Sequence, residues 1–290
     1  MALDPEVEWL RMTTMSVCRV VIGATGQIGS ALAAHLHSVA GRLIAVDRVS
    51  SDGPVPVIGC DVTDPAFADL LAVQLARCTR AELYHTSGWV PPLAKIDNTP
   101  TDTFATAVTQ NLTSAYAALR SFALTTGELG LHAAAVAVTS VGAHRAHRYH
   151  VGYDAAKAGV ESVVRTLALE YGPRLSVRAF ALGPLAESTS TAADGEALSA
   201  LVRLVPLGRY ARMAEVAEAI ALFGGPAFDP ANGHTLIYDG GLSVQLRPVE
   251  VERAPPGESG TLGNLHPGHP RRADLPAGGS GRVDQRTERI

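Results

Sequence analysis

Short apolar runs of strand length alternate along this chain with longer stretches in which apolar residues recur at helical spacing. Seven runs have the character of buried strands, at residues 16–22, 42–47, 55–60, 81–88, 132–140, 175–182 and 234–238. Helical spacing lies between them, at residues 30–40, 65–76, 101–122, from the Tyr153 region to about Tyr171, and 213–223. This alternation predicts an α/β fold, a single-domain Rossmann-type doubly wound parallel sheet.

Composition divides the chain into three parts. Residues 1–15 carry acids, lack an apolar signal core and are interpreted as an N-terminal extension, whereas residues 16–246 form the predicted folded domain. Residues 247–290 are rich in Pro, Gly and Arg, so they bury little apolar surface and are predicted to be a disordered tail. Within the domain, the small residues from Leu185 to about Ala200 are predicted to form a mobile lid.

Charge and cysteine content exclude several classes of protein. The net charge of -4 offers no surface for a polyanion, so nucleic acid is not an expected partner. No apolar run reaches the roughly 18 residues of a membrane span, and a cytoplasmic protein is expected. Cys18, Cys60 and Cys78 show no metal-binding spacing and are interpreted as reduced structural thiols.

A glycine-rich turn connects the first strand to the first helix. It reads G-A-T-G-Q-I-G, with Gly23, Gly26 and Gly29. In this context the three glycines permit a tight turn, a close approach of backbone to a pyrophosphate, and packing of helix on strand. The pyrophosphate then lies at the helix N-terminus, so the turn predicts a dinucleotide site.

Acidic residues end the next two strands. Asp47 lies 21 residues after Gly26, where a carboxylate binds the adenosine ribose hydroxyls and repels a 2'-phosphate. Arg48 could instead favour that phosphate, but NAD is preferred over NADP on the position of the acid. Asp61 follows the third strand and could face the adenine edge.

Candidate catalytic groups follow in the second half. Ser140 ends the fifth strand, and Tyr153 precedes Lys157 by one helical turn, so both side chains share a helix face. The ammonium is expected to lower the phenol pKa, which is near 10 in free tyrosine. Asn111 lies mid-helix, where an amide is unhelpful unless it is buried with partners.

Together these motifs resemble the short-chain dehydrogenase/reductase family over residues 16–246. The resemblance adds Gly183-Pro184 and the C-terminal G-H-T-L-I-Y-D-G-G, and it implies an NAD(P)-binding domain with a catalytic tetrad. Tyr153 would be the general acid and base, Lys157 would lower its pKa and hold the nicotinamide ribose, Ser140 would bind the substrate oxygen, and Asn111 would hold a relay water. The implied cofactor contacts are Gly23, Thr25, Gly26, Gln27, Ile28, Gly29, Asp47, Arg48, Asp61, Val62, Ser87, Gly88, Tyr153, Lys157, Gly183 and Pro184.

The glycine spacing departs from the compact branch of that family and is similar to the extended branch, as is the H-T-S-G that ends strand four. The main hypothesis is an NAD(P)-dependent oxidoreductase acting on a secondary alcohol or ketone of a small molecule. The alternative is an NAD-dependent epimerase or dehydratase of a sugar-type substrate, although the chain lacks room for a large substrate domain. A protein that senses a dinucleotide without turnover is the third hypothesis.

Four histidines, His85, His144, His147 and His150, match no standard zinc spacing, so no metal is predicted. His147 and His150, with Arg145 and Arg148, either form an exposed charged loop or line the substrate mouth. In the second case they would favour an acidic or phenolic substrate. Trp89 is interpreted as a pocket wall or a core residue. The resemblance also implies a homodimer or homotetramer formed by the helices that carry Asn111 and Tyr153.

Overall fold

The computed structural model describes residues 17–187 and 202–245. Their centre is a parallel sheet of seven strands in the order β3-β2-β1-β4-β5-β6-β7. The strands are β1 (Val17–Ile22), β2 (Arg42–Asp47), β3 (Val57–Gly59), β4 (Arg80–His85), β5 (His132–Ser140), β6 (Leu175–Leu182) and β7 (Thr235–Tyr238). The reversal of order between β1 and β4 makes the sheet doubly wound, which confirms the predicted Rossmann-type architecture.

Helices cover both faces of the sheet, and this explains why the strands read as continuous apolar runs. They are α1 (Gln27–His37), α2 (Ala66–Leu75), α3 (Thr101–Val108), α4 (Ser114–Glu128), α5 (Val151–Tyr171) and α6 (Met213–Gly224). Alternate strand residues enter two separate cores, so Val20 packs with α2, α4 and α5 while Val21 packs with α1 and α6. The carboxyl ends of the strands remain free to carry a site.

Several element boundaries differ from the predicted ones. β4 ends at His85 rather than Gly88, and β3 begins only after Pro56, which has no N–H to donate to a strand ladder. The single predicted helix over 101–122 is two α-helices joined by a π-helical turn at Thr109–Thr113. The chain divides into two units between Val244 and Gln245, and all these elements lie in the first. The predicted N-terminal extension, most of the lid and the C-terminal tail lie outside the described residues.

The expectation of reduced thiols is wrong for two of the three cysteines. Cys18 in β1 and Cys78 just before β4 form a disulfide, with their Cα atoms 5.9 Å apart, and only Cys60 is a free thiol. β1 and β4 are neighbours, and Cys18 pairs in register with Ala81. The sheet order therefore brings together two cysteines that are 60 residues apart in sequence.

A buried charged network is centred on Glu82 in β4. Its carboxylate accepts hydrogen bonds from Arg19 Nε at 3.0 Å, Arg80 Nε at 3.3 Å and the Tyr84 hydroxyl at 2.9 Å. Arg80 also makes a two-pronged ion pair with Asp229, which in turn accepts from the fully buried Arg178. Burial of charge is tolerated here because the carboxylates are paired and hydrogen-bonded. Within residues 17–187 and 202–245, no helix is both long and apolar enough to cross a membrane.

Candidate active site

The glycine turn between β1 and α1 forms a backbone cradle that leaves no room for side chains. Gly23 has φ +81°, and a Cβ on Gly29 would lie 2.0 Å from the Gly23 carbonyl oxygen. α1 begins directly after Gly26, has no acid in its first turn and no side chain that caps its N–H groups. Such an end suits a phosphate group, so the residues present fit the pyrophosphate of a dinucleotide. Gln27 and Ile28 form the first turn of this helix.

Asp47 lies at the end of β2, beside this turn, as predicted. Its Oδ2 accepts from the Thr25 backbone N–H at 3.0 Å and from the Thr25 hydroxyl at 2.6 Å, and Oδ1 accepts from the Arg48 N–H at 2.7 Å. The carboxylate thus joins the end of β2 to the glycine turn. It is partly exposed at the carboxyl edge of the sheet, where an adenosine ribose would bind in a fold of this kind.

The other predicted nucleotide contacts lie along the same edge of the sheet. Asp61 accepts from the Thr63 backbone N–H at 2.9 Å and its hydroxyl at 2.7 Å, and these bonds lower the pKa of the Asp61 carboxyl. Val62 beside it is buried. The backbone of Ser87 packs closely against Gly23. The strand ends therefore converge as the parallel topology requires.

Tyr153 lies in the first turn of α5, beside Ser140 at the end of β5. The Ser140 side chain is near enough to the Tyr153 hydroxyl to lower its pKa, and Ser140 Oγ accepts from the Gly142 N–H at 3.1 Å. Burial raises the pKa of Tyr153, the Ser140 side chain opposes the rise, and the Asp154 carboxylate adds to it. The expected lowering of this pKa is therefore not found in this structure.

Lys157 is buried one turn further along α5. Its Nζ donates to the Val138 carbonyl at 3.1 Å and lies 5.6 Å from the centre of the Tyr153 ring. Burial lowers the pKa of the ammonium to about 8, because a charged group loses hydration there. A Cβ on Gly88 would lie 3.2 Å from Nζ, so the chain after β4 passes close to this lysine.

Asn111 is fully buried in the π-helical turn between α3 and α4. Its amide holds the backbone of Trp89 from both sides, with Oδ1 accepting from Trp89 N at 3.0 Å and Nδ2 donating to Trp89 O at 2.8 Å. Nδ2 also donates to Ala107 O at 2.9 Å. The side chain therefore fixes the loop after β4, a role that the sequence did not predict.

Gly183 and Pro184 follow β6 at the same edge. The Gly183 N–H donates to Tyr238 O at 3.1 Å, and a Cβ at Gly183 would collide with Asp239. Trp89 is partly exposed and lines a cavity of about 420 Å³ together with residues of α3 and the loop before it, including Pro92, Thr99 and Thr103. Trp89 is therefore not a core residue. Its role as a wall of the substrate pocket stays a prediction, because Ser140, Tyr153 and Lys157 do not line this cavity.

The loop between β5 and α5 contains two histidine–carboxylate pairs that sequence reasoning missed. His144 Nε2 lies 3.1 Å from Glu161 Oε1, which also accepts from the Thr139 hydroxyl at 2.9 Å. His147 Nδ1 lies 3.1 Å from Asp154 Oδ1. The sequence feature that could have indicated the second pair is Asp154, the acid directly after Tyr153 in Y-D-A-A-K.

His85, the last residue of β4, is 1% exposed, and both of its ring nitrogens lack a hydrogen-bond partner. Burial, together with the charge of Lys157, lowers its pKa to about 3, so the ring is neutral. In the described parts of the chain, no group of three or more His, Cys, Asp or Glu side chains is arranged to hold a metal ion.

The sequence is similar to those of known dehydrogenases and reductases. A family model described as enoyl-(acyl carrier protein) reductase matches residues 23–243. The chain is 29% identical over 246 residues to D-threitol dehydrogenase of Mycolicibacterium smegmatis, covering 78% of this chain and 92% of that protein. It is 25% identical to L-rhamnose 1-dehydrogenase (NAD(P)(+)) of Azotobacter vinelandii, over 79% of this chain and 88% of that one.

Among solved structures, the fold is similar to that of aldohexose dehydrogenase from Thermoplasma acidophilum. The TM-score is 0.73 at 22% identity, and the match covers 82% of this chain and 98% of the other. At this identity the likeness concerns the fold alone.

Proposed function

The chain belongs to the short-chain dehydrogenase/reductase family, and on that premise we propose that it transfers a hydride between a nicotinamide and a secondary alcohol or ketone, with Tyr153 as general acid and base. Membership in this family makes the chain an oxidoreductase that acts on CH–OH groups of small molecules. Dehydrogenases of this family use nicotinamide cofactors.

The observation that carries it is the grouping of Ser140, Tyr153 and Lys157 at the carboxyl edge of the sheet. Ser140 lies near the tyrosine hydroxyl and lowers its pKa, and Lys157 Nζ lies 5.6 Å from the centre of the tyrosine ring. The glycine cradle lies at the same edge, because β1 and β5 both flank β4. Ligands of doubly wound sheets bind at this edge.

A bound nicotinamide supplies the hydride acceptor for oxidation and the hydride donor for reduction. During oxidation the Tyr153 oxygen takes the hydroxyl proton of the alcohol as the carbon loses its hydrogen with the bonding pair, and a carbonyl forms. Ser140 holds the substrate oxygen in line with Tyr153. The lysine ammonium stabilises the phenolate that must form before this proton transfer.

The raised pKa of Tyr153 is consistent with this role only if positive charge is added to the site. Burial disfavours the phenolate, and Asp154 disfavours it further. The ammonium of Lys157 and the positive ring of an oxidised nicotinamide both favour it. We therefore propose that Tyr153 becomes a competent base only when the oxidised cofactor is bound.

NAD is proposed over NADP because the partly exposed carboxylate of Asp47 would repel a 2'-phosphate. Titration of NAD⁺ and NADP⁺ by calorimetry into the wild type and an Asp47→Asn variant tests this. We expect tighter binding of NAD⁺ by the wild type, and a smaller difference between the two nucleotides in the variant. Tighter wild-type binding of NADP⁺ would assign the deciding role to Arg48.

The named relatives act on D-threitol and L-rhamnose, which supports a polyhydroxylated substrate. A homodimer or homotetramer formed by α4 and α5 is also proposed, and light scattering measures it. A cytoplasmic location is proposed too, although the Cys18–Cys78 disulfide weighs against it, since cytosolic thiol buffers keep most cysteines reduced.

The decisive experiment compares the wild type with Tyr153→Phe on a panel of secondary alcohols with NAD⁺, followed by nicotinamide absorbance. Removal of the acid/base group is expected to lower kcat by about 10²–10⁴-fold without loss of nucleotide binding. Tyr171→Phe, at the far end of the same helix, is the matched control and should keep wild-type activity. An active Tyr153→Phe enzyme would overturn the assignment, and substrate turnover without net absorbance change would indicate the epimerase alternative.

A further inference from the structure

The imidazole rings of His150 and His147 lie in succession beyond the ring of Tyr153. The ring centre of His150 lies 6.4 Å from that of Tyr153, and the ring of His147 lies 5.2 Å beyond it. Both belong to the loop that joins Ser140 to α5. Resting on the proposed function, we infer that His147 and His150 form a subsite that reads a second hydroxyl group on the substrate.

Hydrogen bonding defines the proton position on each ring. His150 Nδ1 lies 2.8 Å from the Arg148 carbonyl oxygen, which can only accept, so this nitrogen carries the proton. His147 Nδ1 lies 3.1 Å from the Asp154 carboxylate, which also accepts. In the neutral form of each ring, Nε2 is therefore a lone-pair acceptor.

The arrangement of His147 is built into the surrounding backbone. Asp154 is 7% exposed, and its second oxygen accepts from the His147 N–H at 2.7 Å. A Cβ at Gly142 would lie 2.0 Å from Asp154 Oδ1 and 2.9 Å from His147 Nδ1, so only glycine leaves space for the pair. This glycine fixes the carboxylate, and the carboxylate orients the ring.

The backbone between the two histidines adopts a conformation that side chains avoid. Tyr149 has φ 73°, although its side chain is bulky and 47% exposed. Residues held in such conformations are concentrated at functional sites, where the surrounding structure over-determines them. In this loop the His150 ring lies 6.4 Å from the Tyr153 ring, and the His147 ring lies 5.2 Å from the His150 ring.

The two Nε2 acceptors of the neutral rings select a ligand that donates hydrogen bonds. A hydroxyl on the carbon next to the reacting one meets this requirement, as in a vicinal diol or an α-hydroxy ketone, whereas a simple ketone has no donor. A carboxylate offers only acceptors to these nitrogens, so the acidic substrate considered from the sequence is disfavoured when both rings are neutral. The subsite therefore selects polyhydroxylated substrates over simple alcohols of the same length.

The test uses matched four-carbon probes with the full chain and NAD⁺. Wild-type kcat/KM for butane-2,3-diol should exceed that for 2-butanol by about tenfold or more, the effect of one good hydrogen bond. His147→Phe and His150→Phe keep a flat ring but remove the acceptor, and each should reduce this ratio about tenfold. His150→Gln, which retains an acceptor oxygen, should restore part of it. His37→Phe, at the exposed end of α1, is the control and should keep the wild-type ratio.

The measured quantity is a ratio, so a general loss of folded enzyme in a variant does not change it. An unchanged ratio in both Phe variants, or a wild type that prefers 2-butanol, would overturn the inference and leave the proposed function standing. Preference for 3-hydroxybutanoate over the diol would also overturn it and would assign the loop to an acidic substrate. Failure to oxidise any of these alcohols would overturn the proposed function together with the inference.

Discussion

The buried polar groups at the two ends of strand β4 differ in whether they have hydrogen-bond partners. At the amino half, Glu82 accepts three hydrogen bonds and belongs to a network in which Arg19, Arg80 and Tyr84 have partners. At the carboxyl end, three residues later, His85 is as deeply buried and neither ring nitrogen has a partner. Lys157 beside it has a pKa lowered by burial to about 8.

We read this difference as separating a region that stabilises the fold from one that serves the proposed reaction. A paired buried charge holds neighbouring elements in place, whereas an unsatisfied group costs free energy unless function retains it. Perturbed groups of this kind cluster at active sites. Substitutions at the amino half of β4 should thus lower stability, and substitutions at its carboxyl end should change activity or even raise stability.

The largest effect on stability is expected from Glu82→Ala. It leaves the Arg19 guanidinium and the Tyr84 hydroxyl without their buried acceptor, and breaking such a network costs about 3–5 kcal/mol. Chemical denaturation measures the loss, and kcat per folded molecule should remain near that of the wild type. The exposed Glu170→Gln on α5 provides the control. A loss of kcat at full occupancy of the folded state would contradict the separation of the two ends.

Removal of the Cys18–Cys78 disulfide should have the next largest effect. It closes a loop of 60 residues at the end of the sheet opposite the site, and its loss should lower the free energy of unfolding by about 2–4 kcal/mol. Cys18→Ser under oxidising conditions tests this by thermal unfolding, with Cys60→Ser as the matched variant of the free thiol. Equal melting temperatures of Cys18→Ser and the wild type would show that the bond is absent in solution.

The smallest effect concerns His85. Its pKa is about 3 in the folded chain and about 6.5 when unfolded, so the unfolded state binds more protons between these values and stability rises with pH across that window. Acidification from pH 7 to pH 5 should then cost about 2 kcal/mol through this residue.

His85→Leu removes the two ring nitrogens that lack hydrogen-bond partners. It also removes the loss of stability on acidification that His85 causes. The variant should be more stable than the wild type at pH 5 by urea denaturation, with a smaller gain at pH 7. His132→Leu, at the exposed start of β5, is the comparison. A less stable His85→Leu protein at pH 5 would indicate that an internal water already satisfies the ring.

The sheet could be predicted from the sequence because helices cover both of its faces. Val20 and Val21 enter opposite cores, so the strands are apolar throughout and stand out from the helices. The ends of the strands could be predicted less well from the sequence. The end of β4 at His85 depends on where its neighbours stop pairing, and local sequence does not contain that information.

The site residues could be placed on the correct edge, and Ser140, Tyr153 and Lys157 do lie together. Contacts between segments that are far apart in the sequence could not be predicted. The π-helical turn depends on an amide that binds the backbone of Trp89, and the Cys18–Cys78 bond requires knowledge that β1 lies beside β4. The pair of His147 and Asp154 depends on the path of a loop whose Tyr149 adopts a conformation rare for its residue type.

The hydrogen bonds that Asp47 already makes would affect the affinity for a nucleotide and the selectivity between nucleotides to different extents. A carboxylate has about four acceptor sites, and Thr25 and Arg48 already fill three of them. A ribose that donates both hydroxyls must therefore displace the Thr25 hydroxyl, so one bond is exchanged for another with little net gain. The negative charge is unaffected by that exchange. Under the proposed NAD preference, Asp47 would therefore reject a 2'-phosphate strongly while adding little to the affinity for NAD.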